Sequence, residues 1–185
     1  QKFLSLPKYK FLAIGIGMPS TFFFIAYLLI GITTGEWDSI FVLGLNSKLP
    51  VRNFFLIWLI WCFFYGIGEE SGWRGFLFPE LVKHYKARIS SFYIALIWSI
   101  WHLPIFFYDK NFMSLGVFGT IGWLIGLICG SLLLGWLTRQ ANWNLWPVII
   151  WHGTVNLFTG SEKIHYLVPA IISMLVINTS IWIAR

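Results

Sequence analysis

Phe54-Phe55-Leu56-Ile57-Trp58-Leu59-Ile60-Trp61-Cys62-Phe63-Phe64-Tyr65-Gly66-Ile67 runs without a charge and leads straight into Gly68-Glu69-Glu70-Ser71-Gly72-Trp73-Arg74-Gly75-Phe76-Leu77-Phe78-Pro79. Read as a helix from Val51 to Phe78, this stretch exceeds the roughly 20 apolar residues that cross a bilayer. It also carries two adjacent carboxylates, although the whole 185-residue chain holds only seven Asp and Glu. The bland explanation is that the pair marks the end of a span at the headgroups. An ionisable group at membrane depth is costly, however, and is a functional candidate by default. The fold is therefore that of a polytopic all-α membrane protein, and the question is what else faces the pair.

Composition agrees. Mean hydropathy is +0.75, 58% of residues are hydrophobic and 11% are charged, against roughly a quarter charged in soluble domains. The 12 Trp and 7 Tyr suit aromatic anchoring at the two interfaces and are too dispersed for nucleic-acid stacking. Net charge is +6, but the Lys and Arg residues fall mostly between apolar runs, as membrane orientation requires. No nucleic-acid partner follows, and contact with acidic lipid headgroups is the modest further reading. Cys62 and Cys129 both lie within apolar runs and lack metal-ligand spacing, so they read as small buried hydrophobes. The first residue is Gln1 rather than Met, which fits a piece of a longer chain. The run Phe11–Thr34 is too long for a signal-peptide core and reads as a retained span.

Six apolar segments follow from span length: Phe11–Thr34 with Pro19 inside it, Val51–Phe78, Ile89–Tyr108, Phe112–Leu137, a shorter Leu145–Phe158, and Ile164–Ala184. A polar link from Gly35 to Pro50 carries Glu36, Asp38, Asn46 and Lys48, and Glu80–Arg88 is short and basic. On this layout Lys2, Lys8, Lys10, Arg74, Lys83, Lys86, Arg88, Arg139 and Arg185 share one side, against Lys48, Arg52, Lys110 and Lys163 on the other. The positive-inside rule then places both termini in the cytoplasm. Residues 1–185 read as one transmembrane domain without internal repeats.

The remaining polar groups inside the spans are few. Glu70 and Arg74 are four apart and can pair on one helix face, whereas Glu69 points about 100° away. His102, in Trp98-Ser99-Ile100-Trp101-His102-Leu103-Pro104, lies roughly 20 Å into its span, with Trp98 one turn earlier. Pro104 frees a backbone carbonyl nearby that needs a donor. His152 and Asn156, in Trp151-His152-Gly153-Thr154-Val155-Asn156, share a face at spacing four, and small Gly153 and Thr154 admit a neighbouring helix. Each histidine alone is more often helix-contact glue than chemistry. Together they concentrate at similar depth, so Glu69 is expected to meet His152, with His102 deeper, in one polar cavity. His84 and His165 fall in loops and read as solvent-exposed, and Asp109 and Lys110 mark a span boundary. No phosphate loop, H-E-x-x-H or Gly-x-Ser-x-Gly elbow is present.

Glu-Glu-x-x-x-Arg at 69–74, aromatic-x-x-x-His at 98–102 and His-x-x-x-Asn at 152–156, in that order on successive apolar segments, resemble the CPBP family (CAAX proteases and bacteriocin-processing enzymes, also called Abi) of intramembrane endopeptidases, which includes the Ras-converting CAAX prenyl endopeptidases. The resemblance covers roughly residues 51–158. It implies that Glu69 and His102 activate a water for attack on a peptide carbonyl, that His152 and Asn156 stabilise the oxyanion, and that Glu70, Arg74 and Trp98 support the site. Trp98 stands where the motif is usually written with Phe, and the exchange is expected to alter packing rather than chemistry. Desolvation strengthens a carboxylate as a base, and donors aimed at a developing oxyanion are worth about 2.7–4 kcal/mol each.

The resemblance implies a membrane-associated peptide or protein substrate, prenylated or of bacteriocin or signal type, in a prokaryotic plasma membrane. No cofactor is favoured. A zinc centre of Glu69, His102 and His152 with an open water position is the alternative version of the same protease. A non-proteolytic immunity or scaffold protein using the same pocket is the competing class. A proton-coupled transporter is disfavoured by the lack of an internal repeat. Oligomeric state is not legible.

Overall fold

The computed structural model describes residues 5, 8–37, 40–46, 49 and 51–184. The expectations for Lys2, Asp38, Lys48, Pro50 and Arg185 lie outside the described residues, and with them part of the charge asymmetry. Seven helices form among the described residues: α1 Tyr9–Thr34, α2 Phe54–Leu81, α3 Ala87–Trp101, a short α4 Lys110–Met113, α5 Gly116–Gln140, α6 Trp146–Thr159 and α7 Leu167–Ala184. The protein is an all-α polytopic membrane protein. Five helical stretches are long and apolar enough to cross a bilayer: α1, α2, α3 with the turns to Phe107, α5 and α7.

The segment read as a short fifth span is different in kind. α6 has 14 residues, about 21 Å of helix, which falls short of the hydrocarbon thickness. Its Pro147, Val148, Ile149, Trp151, His152, Gly153, Thr154, Leu157 and Phe158 are all buried, because α6 is the central helix. α1 and α2 pack against it, α7 packs on α1 and α5, and α3 joins α5 to the end of α2. The buried stripe of α1 (Gly15, Pro19, Phe22, Ala26, Ile30) recurs at helical spacing. At Gly15 an added Cβ would lie 2.6 Å from the Pro147 carbonyl oxygen, so α1 crosses the start of α6 backbone to backbone. Outward, Phe24, Leu29, Phe63, Phe64, Ile100, Phe118, Met174 and Trp182 are exposed. Large apolar side chains on the outer surface are what a bundle whose solvent is lipid presents.

The span limits shift for local reasons. Asn53 caps α2 by accepting from the Leu56 amide at 3.0 Å, so the helix starts there rather than at Val51. α3 stops at Trp101 because Pro104 cannot donate to the helix, and the chain continues to Phe107 in tighter turns. Asp109 caps α4, accepting from Asn111 and Phe112 amides, and Gly116 at φ 60° separates α4 from α5. Between α5 and α6, Asn142 and Trp143 both adopt positive φ (56° and 63°). The Trp143 amide donates to the Thr138 carbonyl at 2.9 Å, and its ring packs on Phe78 at 5.6 Å. That reversal returns α6 into the bundle. His165 departs from its expected exposure: its Nε2 lies 3.6 Å from the Glu36 carboxylate, and its ring stacks on Tyr166. The two cysteines are free and half-buried rather than buried.

Candidate active site

α2 is not a uniform α-helix. It widens into π turns over Cys62–Ile67 and again over Ser71–Leu77, with Gly68–Glu70 as α-helix between them. Gly66, Gly68, Gly72 and Gly75 make the backbone pliant there, and Pro79 withdraws a donor just beyond the second wide turn. π turns inside α-helices recur at functional sites. Here they sit on either side of the carboxylate pair.

Glycines then bring α2 against α6. A Cβ on Gly66 would lie 2.6 Å from the Ile149 carbonyl oxygen, and one on Gly153 would lie 2.7 Å from Cys62 Cα. Trp58 Nε1 donates to Thr154 Oγ1 at 3.0 Å across the same contact. The small residues of the His152 segment thus admit the neighbouring helix, which is α2. Gly153→Ala forces backbone against backbone and is expected to destabilise the protein by about 1–3 kcal/mol, read as a lowered melting temperature in detergent.

Two polar groupings result. In the first, Glu70 Oε1 accepts from Arg74 Nη1 at 3.0 Å and from His152 Nδ1 at 2.8 Å. Glu70 and Arg74 are fully buried and His152 nearly so. A carboxylate only accepts, so the His152 proton facing Glu70 sits on Nδ1. The Arg74 guanidinium carbon lies 4.9 Å from the Trp98 ring centre, a cation–π contact. Glu70 Oε2 and Arg74 Nε and Nη2 have no protein partner among the described residues. Buried atoms of this kind call for water or a ligand.

In the second grouping, Glu69 Oε2 accepts from Trp98 Nε1 at 2.6 Å and from Trp73 Nε1 at 3.4 Å. His102 Nδ1 lies 2.7 Å from the Trp98 carbonyl oxygen. That oxygen can only accept, so Nδ1 carries the proton and Nε2 of the neutral ring is left as a base. The His102 ring is wedged edge-on between Trp98 and Trp123, both at 5.6 Å. Glu69 and His102 are half-buried, which leaves this grouping the more accessible of the two.

Trp98 joins the groupings. Its indole binds Glu69, its carbonyl binds His102, and its ring touches His152 at 5.6 Å and Arg74. Two expectations are corrected here. His152 partners Glu70 rather than Glu69, because the close approach of α2 and α6 puts their buried faces together and Glu69 lies round the helix from that seam, where it meets Trp73 at i+4. Trp98 changes chemistry as well as packing, since an indole brings an N–H that a phenyl ring lacks. Asn156 stands one turn beyond His152 and is half-buried. Its backbone carbonyl accepts from the Gly160 amide at 2.8 Å, and its side chain makes no hydrogen bond with the described residues. Trp73 and Trp123 were not anticipated. The four-residue spacing of Glu69 and Trp73 was visible in sequence, whereas Trp123 on α5 carried no signal.

The donor set also bears on zinc. Among the described residues no three His, Cys, Asp or Glu side chains are placed to hold a metal ion. His152 Nδ1 faces Glu70, and Glu69 faces two indoles. The Glu69, His102 and His152 set does not fit a three-ligand centre in this arrangement.

All of these residues lie within residues 51–158, the part of the chain that matches the family model described as Type II CAAX prenyl endopeptidase Rce1-like. The chain is also similar to a protein named CAAX prenyl protease 2 from Methanococcus maripaludis, 25% identical over 93 residues. That match covers 48% of this chain and 34% of the relative, so the chain spans about a third of the length of the curated relative it matches. The family match extends over more than half of the sequence and includes both carboxylates and both site histidines: the chain belongs to the Rce1-like family of type II CAAX prenyl endopeptidases.

Proposed function

We propose that the protein is an intramembrane endopeptidase that hydrolyses a peptide bond of a membrane-associated substrate with Glu69 as general base. The observation that carries this reading is that one residue, Trp98, fixes a half-buried carboxylate through its indole and holds the proton of a histidine on Nδ1 through its carbonyl. Glu69 takes the proton of a water as that water adds to the scissile carbonyl. The proton then passes to the leaving amine nitrogen, with His102 Nε2 available to assist. His152 serves as an oxyanion donor only from Nε2, and therefore with both ring nitrogens protonated, because Nδ1 is committed to Glu70. Asn156 supplies an uncharged amide donor one turn away, which requires its side chain to turn toward the substrate. Glu70 and Arg74 hold His152 in place. We assign the substrate to the membrane-associated peptide class, prenylated or otherwise, and place the protein in a prokaryotic plasma membrane with both termini cytoplasmic.

Comparison of the membrane peptidome of cells carrying the wild-type chain with that of cells carrying Glu69→Gln tests the reading. New carboxyl termini that appear only with the wild type identify the substrate; identical peptidomes would overturn the assignment.

The Trp98 hydrogen bond gives a second test. Trp98→Phe keeps a ring between the histidines and deletes the donor to Glu69. A hydrogen bond to a charged group contributes about 1.5–3 kcal/mol, so kcat is expected to fall by about tenfold or more with KM unchanged.

A further inference from the structure

A cavity of about 300 Å³ lies away from these residues, at the end of the bundle where α3 begins and α5 and α7 finish. Neither Glu69, Glu70, His102, His152 nor Asn156 borders it, and among the described residues no carboxylate lines it. Its walls carry Arg88, Ser91, Arg139 and Gln140 on the polar side and Trp136 and Ile183 on the apolar side. We infer that this cavity is a binding site for a phosphate group, presented by the headgroup of an anionic phospholipid.

Charge and shape point the same way. Arg88 and Arg139 make no side-chain hydrogen bond or ion pair with the described residues, so two guanidinium forks are uncommitted at one cavity. Planar guanidinium groups match phosphate oxygens pairwise. Ser91, 2% exposed, stands at this wall. Its hydroxyl lies against Gly135, another residue of the cavity wall, where an added Cβ would collide with it. α3 also starts at this wall with Ala87, and Lys86 before it provides no side-chain cap, so the first amides of a 15-residue helix add positive potential.

The apolar wall decides the source of the phosphate. Trp136 and Ile183 belong to α5 and α7, which are two of the bilayer-crossing helices, so a ligand held by the arginines continues alongside hydrocarbon. The volume stands at the lower end of small-molecule sites, about 300–1,000 Å³, and accommodates a phosphoglycerol group. Basic pockets between membrane helices recognise such headgroups.

The full chain in neutral detergent is titrated with dioctanoyl phosphatidylglycerol, with dioctanoyl phosphatidylcholine and with inorganic phosphate, and read by melting temperature and by native mass spectrometry. The expected result is saturable stabilisation and one retained lipid with phosphatidylglycerol only. Arg88→Gln with Arg139→Gln weakens that binding by about 30-fold, on the basis of two basic contacts at the membrane surface. Lys8→Gln with Lys10→Gln removes the same charge elsewhere and leaves it intact. Should the double arginine variant fail to elute as a single species, Arg139→Gln alone is expected to weaken binding about fivefold. Equal response to inorganic phosphate would keep the phosphate site and overturn the lipid source. Equal retention of both lipids, or the same loss in the lysine variant, would overturn the site.

Discussion

Replacement of Glu69 by Gln is expected to lower turnover by about 10²–10⁴-fold, the usual range for loss of a general base, while the protein remains folded. The two halves of that expectation have separate causes. Glutamine has the shape of glutamate, and its amide oxygen still accepts from the Trp98 and Trp73 indoles that now meet Glu69 Oε2 at 2.6 and 3.4 Å. Those hydrogen bonds become neutral rather than charge-assisted, a cost to stability of about 1 kcal/mol. Basicity, in contrast, is removed outright. The measurement is turnover of a substrate taken from the peptidome comparison, by purified protein, beside a melting curve of the same sample. Undiminished turnover would sink the role of Glu69. A loss of activity matched by a loss of several kcal/mol in stability would mean that Glu69 is structural. Glu70→Gln is the informative contrast, because Glu70 is fully buried between Arg74 and His152, and stability should fall there as well.

Much of this arrangement was legible before any coordinates. Fold class follows from hydropathy, and the i,i+4 pairing of Glu70 with Arg74 follows from helix geometry, whereas the count of six spans was one too many, because the buried 14-residue α6 was read as a span beside the five helices long enough to cross. What periodicity missed is the rotational phase of α2. The wide turns over Cys62–Ile67 and Ser71–Leu77 alter which residues face α6, and no residue pattern announces them beyond a run of glycines. Hence Glu70, not Glu69, meets His152. Depth arithmetic carried a related error. It placed Glu69 and His152 in one layer, which holds for Glu70 equally well, since adjacent residues differ by about 1.5 Å along the axis. Rotational phase, not depth, selects the partner. Long-range aromatic contacts such as His102 with Trp123 arise from how α5 packs on α3, which local sequence does not encode.

The two groupings divide the work of the site in physical terms. The Glu70–Arg74–His152 grouping is buried and internally paired, so its charges are held where water is scarce and its geometry is stiff. The Glu69–Trp98–His102 grouping is half-exposed, and its acceptor atoms remain open to an incoming water. Trp98 touches both, through its indole N–H and carbonyl on one side and its ring face and edge on the other.

Arg74→Met is expected to be the most damaging single change to stability. The side chain is buried along its whole length and pairs a guanidinium with Glu70 at 3.0 Å. Methionine fills much of the volume but leaves the carboxylate with His152 alone. Breaking a buried pair by removal of one partner costs about 3–5 kcal/mol, chiefly from the charge left behind. At this chain length each kcal/mol lowers the melting temperature by about 2–4 °C, so a fall of about 6–20 °C is anticipated. The double variant Glu70→Leu with Arg74→Met removes both charges together. It should recover most of that loss, because apolar replacement of a whole buried pair is often close to neutral. The residual deficit reports the orphaned His152 Nδ1–H, about 1–3 kcal/mol for an unsatisfied buried donor. A double-mutant cycle then separates coupling from simple loss of packing. If the two single effects merely add in the double variant, the buried pair is not the element that holds α2 and α6 in register.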